Sequence, residues 1–324
     1  MAETETLLRV RGYELDATLD SGQVFRWHKS EGSWIGVVGK HWVRLTQTPD
    51  GIRAETAIPV QNWNWLRNFL QTGIDLAAVL KTFPDDVPMR AAVAACRGLR
   101  VLRQEPWECL ASFILSSTKQ IVQIRQVISL LCERFGEPLT PSLSPLGGER
   151  ETVCDALECC KPLEFFPSPR PSGERVVPAR RNRVRGTQFS FPTPTQIATA
   201  TESELRACKM GFRAPHLLAA ARQIADGKFD LDRPRHLPLV EARAELMKLR
   251  GVGGKIADCA LLFAYGFDAA FPVDVWVERA LRQLYFPRRR ISEKRLRHFA
   301  ATHFGPHAGY AQQYLFHYMR TKMK

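Results

Sequence analysis

The chain has 324 residues, 45% of them hydrophobic and 24% charged, and carries a formal net charge of +13. The length suffices for one large domain or two with a real core, and the balance is that of a soluble globular protein. No apolar run reaches the ~18 residues a membrane-spanning helix needs, so no such helix is expected.

An excess of positive charge this large points to a polyanion partner, nucleic acid first. Charge alone also fits a soluble protein that merely repels its own copies. Met1 to Asp16 has no charged start leading into an apolar core, so no secretion signal is expected. The eight cysteines (96, 109, 132, 154, 159, 160, 208 and 259) form no Cys-x-x-Cys pair. Most read as small buried hydrophobes in a reducing compartment, and Cys154, Cys159 and Cys160 as exposed or loosely packed thiols. None follows Cys259, so neither an all-cysteine cluster nor a zinc site is expected in the C-terminal third.

In chain order, residues 7 to 58 read as strands and turns. Gln23–Trp27, Trp34–Val38 and His41–Leu45 are short, aromatic and β-branched, with Gly32, Gly39 and Asp50-Gly51 between them. Residues 60 to 83 follow a helical period through Trp65, Phe69, Leu76, Val79 and Leu80. From Pro84 the pattern is helical almost throughout. Amphipathic helices are predicted over 105–115, 120–135, 214–225, 240–249, 255–264, 275–284, 293–303 and 308–319. The expected fold class is α+β: an antiparallel β-sheet domain with helices over 1–100, then a mainly helical body over 101–324. An insertion at 137–187, rich in Pro, Ser, Gly and Arg, interrupts that body. In it, Pro141–Arg150 is echoed by Pro167–Arg175. Such composition buries too little apolar surface to offset its ordering entropy, so a disordered surface loop is expected.

The most informative segment is Leu249-Arg-Gly251-Val252-Gly253-Gly-Lys255. Two glycines flank one apolar residue between two amphipathic patterns. They permit a tight turn and leave backbone N–H groups uncovered at the start of the next helix, where the helix dipole favours an anion. This is a helix-hairpin-helix that grips a DNA phosphate without reading sequence, through Gly251, Val252 and Gly253. The bland alternative is an ordinary helix–helix turn, with Lys255 a solvent or phosphate-contacting lysine. Asp274 lies 19 residues beyond Lys255, in Phe-Pro-Val-Asp-Val-Trp. By itself it reads as a helix N-cap, which does not prevent it from facing a cleft.

Taken with Ser21-Gly-Gln-Val-Phe-Arg-Trp27, Gln104–Leu110, Ser112–Ser117, Gly211-Phe-Arg-Ala214 and Gly309-Tyr-Ala-Gln312, the hairpin and Asp274 resemble the 8-oxoguanine DNA glycosylases of the helix-hairpin-helix superfamily. The resemblance runs from about residue 7 to 320, broken by the insertion. It implies a bifunctional glycosylase and lyase acting on damaged double-stranded DNA as a monomer, without metal or cofactor. A cytoplasmic, nucleoid-associated location in a bacterium is expected.

By the resemblance, Lys255 is the nucleophile that forms a Schiff base, and Asp274 stabilises charge on the sugar and helps proton transfer. A lysine attacks only as a neutral amine, so burial or neighbouring positive charge has to favour its deprotonation. Gly22 occupies the position whose carbonyl accepts from N7–H of the lesion. Gln312 and Phe316, four apart, contact the base edge and face, and Cys259, four after Lys255, lies on the other side. Read without the family, Phe316 and Cys259 fit ordinary core packing equally well. Phe212 acts as a wedge and Arg213 contacts the opposite cytosine, with Thr118 and Lys119 as further DNA contacts. The chain departs from the family's eukaryotic pattern at Thr118-Lys119-Gln120 and Gln123, where three asparagines and an arginine stand, which leaves the opposite-base preference open. Trp276 replaces a histidine, and Arg250 replaces the usual proline of the hairpin. The competing readings are an alkylated-purine glycosylase, needing the aspartate but not the lysine, and a non-catalytic DNA-binding protein.

Overall fold

The computed structural model describes residues 2–116, 120–139, 189–288 and 290–322. The chain opens with β1 (Glu3–Arg9), α1 (Leu15–Leu19), β2 (His28–Ser30), β3 (Ser33–Val38), β4 (His41–Thr48) and β5 (Gly51–Val60). The five strands form one antiparallel sheet in the order β1-β5-β4-β3-β2. Alternation decides which face is buried: Val43 and Leu45 of β4 point inward and are fully buried, while Arg44 between them faces solvent. The inner face packs on α2 (Asn64–Leu70) through Leu66, Phe69 and Leu70.

Helices make up the rest of the described chain. They are α3 (Leu76–Leu80), α4 (Val87–Ala95), α5 (Pro106–Ser116), α6 (Ile121–Phe135), α7 (Pro194–Ala198), α8 (Glu202–Ala207) and α9 (Ala214–Ala225). After them come α10 (Leu239–Leu246), α11 (Gly254–Ala260), α12 (Val275–Tyr285), α13 (Glu293–His303) and α14 (Ala308–Lys322). The α+β architecture read from the sequence is the one observed. The C-terminal α14 packs against α4 and α12, and α11 packs against α5. Tyr314 of α14 is fully buried and donates to the Leu99 carbonyl at 3.1 Å, tying the last helix back to the first hundred residues. Among the described residues, no helix is long and apolar enough to cross a membrane.

Three elements differ from the sequence expectation. Gln23–Trp27 is not a strand but an irregular segment with all five side chains buried, shared between the core under the sheet and the helical core. Trp27 instead lies flat on β3: a Cβ added at Gly36 would sit 2.3 Å from its indole ring. The helical reading over 60–83 resolves into α2 and α3, broken where Gln71 adopts a left-handed backbone (φ 53°) and Asp75 caps the next turn. The helix expected over 255–264 is α11 up to Ala260, then a π-helical turn over Leu261–Tyr265 that ends at Gly266, whose φ is 82°.

Most of the Pro/Arg-rich stretch lies outside the described residues, with Cys154, Cys159 and Cys160. Its two ends meet: Pro138 and Phe189 form an antiparallel bridge, and Ser190 N–H donates to Glu137 O at 2.8 Å.

Candidate active site

The glycine turn joins α10 to α11 as a helix hairpin. Gly251 has φ 86°, in the region that side chains avoid, and a Cβ there would lie 2.6 Å from His216 Cβ on α9. Gly253 is different. It is the extended N-cap of α11, and added Cβ atoms at Gly253 and Gly254 would meet nothing within 4 Å. No side chain caps α11, so its first N–H groups stay available to an anion. Across the hairpin, Arg243 on α10 donates from Nε to Asp258 on α11 at 2.6 Å. Burial pushes the Asp258 carboxyl up to about 6, against the pull of Arg243.

Lys255 sits in the first turn of α11 and enters a cavity of about 380 Å³. Its Nζ is 3.5 Å from Ser116 Oγ at the end of α5 and 5.5 Å from the centre of the Phe113 ring. Asp274 lines the same cavity as the N-cap of α12, where Oδ1 accepts from Val277 N–H at 2.8 Å. Burial raises the Asp274 carboxyl above its ordinary value. The Val277 N–H, Lys255 and Arg320 each pull it down by less. Cap and cleft residue are thus one side chain.

Four of the other expected pocket residues stand around this pair. Cys259, one helical turn after Lys255, is buried, and burial pushes its thiol up to about 12, so it forms a neutral wall. Gln312 and Phe316 of α14 face the same space. Gln312 is 4% exposed, and its Oε1 has no hydrogen-bond partner among the described residues. Gly22 closes the cavity with φ 78°; a Cβ there would come within 3.1 Å of Phe316 Cε1 and 3.2 Å of Ile121 Cδ1.

The loop around Gly22 is fixed by side chains rather than by a ladder. Gln23, fully buried, donates to Thr18 O, Ser21 Oγ and Arg100 O and accepts from Leu102 N–H. Three carbonyls flanking that of Gly22 are already taken. Asp20 O accepts from Arg320, Ser21 O from Gln313, and Gln23 O from Gln104. No described residue donates to Gly22 O, and Gly22 lines the cavity.

The remaining expected contacts lie elsewhere. Phe212 is 59% exposed, in a 3₁₀ turn over Gly211–Arg213. Arg213 is 3% exposed, its guanidinium 4.3 Å from the Phe212 ring centre, so in this state it is covered rather than displayed. Thr118 and Lys119 lie outside the described residues. Gln123 serves α6 as a cap partner, accepting from Gln120 N–H at 3.2 Å. Sequence reasoning missed Phe113, Ile121, Phe263 and Arg320, all of which line the cavity. Arg320 had a signal: it stands eight residues beyond Gln312 and four beyond Phe316, on one face of α14.

Residues 7–110 match the family model of the 8-oxoguanine DNA glycosylase N-terminal domain, and residues 111–305 match that of the HhH-GPD superfamily base excision DNA repair proteins. The chain belongs to the 8-oxoguanine DNA glycosylase branch of the HhH-GPD superfamily.

Members of this family that it resembles span nearly its whole length. A probable N-glycosylase/DNA lyase of Methanothermobacter thermautotrophicus is 28% identical over 96% of this chain and 95% of its own. The solved structure of MBOgg1 in complex with a low affinity DNA ligand superposes with a TM-score of 0.82 at 27% identity, covering 100% of this chain and 98% of the other. The 8-oxoguanine glycosylase/lyase of Clostridium acetobutylicum, solved with double-stranded DNA containing cytosine opposite 8-oxoG, gives 0.78 at 28% identity, with 99% of both chains covered.

Proposed function

We propose that this chain removes 8-oxoguanine from duplex DNA and nicks the strand, with Lys255 as nucleophile and Asp274 as its acidic partner. One observation carries the reading: Lys255 and Asp274, on different helices, face one cavity whose wall includes the Gly22 backbone. The family membership and a net charge of +13 support a duplex DNA substrate.

The target nucleotide has to leave the stack for its sugar to reach Lys255. The neutral Lys255 amine attacks C1′ while the bond from C1′ to the base breaks, and the base departs with the bonding pair and takes up a proton. The attached nitrogen then loses a proton, and the C1′–O4′ bond opens to give an iminium at C1′ with O4′ protonated. Loss of a C2′ proton expels the 3′-phosphate by β-elimination. Asp274 opposes the positive charge that builds on the sugar as the base leaves. Its raised affinity for protons suits it to accept and return one in later steps. Cys259, neutral, and Phe316 offer flat apolar walls to a base, and the hairpin N–H groups hold a neighbouring phosphate.

Incubation with an 8-oxoguanine duplex and borohydride tests this. The expected result is a covalent protein–DNA adduct, absent with Lys255→Gln. Base release without an adduct would indicate a lysine-independent glycosylase, and binding with no release a non-catalytic protein. Either outcome overturns the proposal.

A further inference from the structure

The Arg320 guanidinium lines the cavity beside Gly22 and Phe316. Its Nη1 lies 3.3 Å from the place a Gly22 Cβ would occupy, and its central carbon 5.4 Å from the centre of the Phe316 ring. One of its five N–H donors is used, on Asp20 O at 3.3 Å. No described residue accepts from the others. Burial lowers its proton affinity, while Asp20 and Asp274 raise it by less, so the group is partly stripped of water. Arg320 is only half-buried, so its remaining donors stay open to the cavity and to whatever enters it.

The chemistry of that ligand follows from what stands next to Arg320. The Gly22 backbone offers an acceptor and the Arg320 guanidinium a set of donors, and both residues line the one cavity. Oxidised guanine offers the complement on its imidazole-side edge: N7–H, flanked by the carbonyl oxygens O6 and O8. A DNA phosphate is the less suitable occupant. It would meet the Gly22 carbonyl as one acceptor meeting another, and the hairpin of α10 and α11 already presents uncovered N–H groups elsewhere.

We propose that Arg320 recognises the extruded base, donating to the O6 or O8 carbonyl next to an N7–H held by Gly22. This rests on the function proposed above. The charged donor and the carbonyl acceptor then bracket the lesion edge, and Phe316 covers its face.

The test uses the full chain as wild type, Arg320→Leu and Arg320→Lys. A borohydride adduct with the wild type comes first, and its absence would sink the functional reading without bearing on Arg320. With the adduct present, single-turnover base release is measured on 8-oxoguanine and 8-oxoadenine duplexes. Affinity is measured on a duplex with tetrahydrofuran in place of the lesion, which keeps the phosphates and lacks the base. Arg320→Leu is expected to slow release of 8-oxoguanine roughly 10- to 100-fold, the range for losing a charge-assisted hydrogen bond. Its affinity for the tetrahydrofuran duplex stays within about twofold, which also reports a folded protein, and Arg320→Lys recovers part of the rate. In 8-oxoadenine an amino donor replaces O6. An equal loss there assigns the contact to O8, and a gain on removing Arg320 assigns it to O6. An unchanged rate on 8-oxoguanine overturns the proposal. So does a matching loss of tetrahydrofuran affinity, which would place the guanidinium on a phosphate.

Discussion

Arg243 and Asp258 meet at 2.6 Å across the two helices of the hairpin, with Asp258 almost wholly buried. This pair ties α10 to α11, the helix that carries Lys255. Removing one partner of a buried pair strands the other charge. Arg243 itself is about a third exposed, so Arg243→Ala is expected to destabilise the protein by about 1–2 kcal/mol, read as a lower midpoint in urea. The pair also gives a pH signature. The folded Asp258 binds its proton more tightly than an ordinary aspartate, up to about 6. Its contribution is therefore most favourable below the unfolded value near ~3.9 and is lost as pH rises through about 6, by about 3 kcal/mol in all. Asp258→Asn should flatten the stability profile between about pH 4 and 6. An unchanged slope would show that the carboxyl is not perturbed.

The two turn glycines separate folding from DNA binding. Gly251→Ala puts a methyl against His216 in a left-handed backbone, so Tm and duplex affinity should fall together, with a stability loss of about 2–4 kcal/mol. Gly253→Ala meets no atom of the described residues within 4 Å, and its φ of −93° suits any residue. It should leave Tm within a few degrees and weaken binding to a tetrahydrofuran duplex severalfold, by covering N–H groups that a phosphate approaches. Thermal melts and fluorescence anisotropy on both variants check the contrast.

Asp274 both caps α12 and faces the cavity, and two substitutions part these roles. Asn caps a helix as well as Asp does, so Asp274→Asn should keep Tm near the wild type while base release falls roughly 10²- to 10³-fold. Asp274→Ala should show the same kinetic loss plus about 1 kcal/mol of stability. The wild-type rate should decline as pH falls through the raised Asp274 value, at a higher pH than an ordinary carboxyl would give. Single-turnover rates against pH measure this. An acid limb that persists unchanged in Asp274→Asn belongs to another group.

Gln23 holds the loop that presents Gly22. Gln23→Leu leaves Leu102 N–H and the Arg100 carbonyl buried without their partner, which costs about 2–4 kcal/mol. Because the Gly22 carbonyl would then be less firmly placed, 8-oxoguanine release should slow more than tetrahydrofuran binding weakens. Parallel measurement of the two quantities decides it, and an equal loss in both would mean the loop only supports the fold.

Much of the site was legible because its parts are local. The Gly251-Val252-Gly253 turn, the lysine after it and an aspartate before an apolar helical run each announce themselves within a few residues, as do the bounds of α9, α12 and α13. The segment Gln23–Trp27 misled for a physical reason. Its aromatic and β-branched residues favour a strand in isolation, but Val24 and Trp27 are buried in the core under the sheet, Phe25 in the helical core, and Gln23 in hydrogen bonds to the Arg100–Leu102 segment. Arg320 carried only a helical spacing. Nothing near it in sequence says that α14 would lay its guanidinium against a glycine about three hundred residues earlier.

The order of residues alone carried the features that are local in the chain. Those are a glycine turn with open amides, a lysine at a helix start, and two periods of burial marking a sheet followed by helices. Only the folded chain decided which of these groups meet. Asp274 reaches the cavity of Lys255, Gly22 keeps a free carbonyl and Arg213 lies covered because of packing between elements far apart in sequence. Periodicity reports which face of a helix is buried. It carries no information on what that face is buried against.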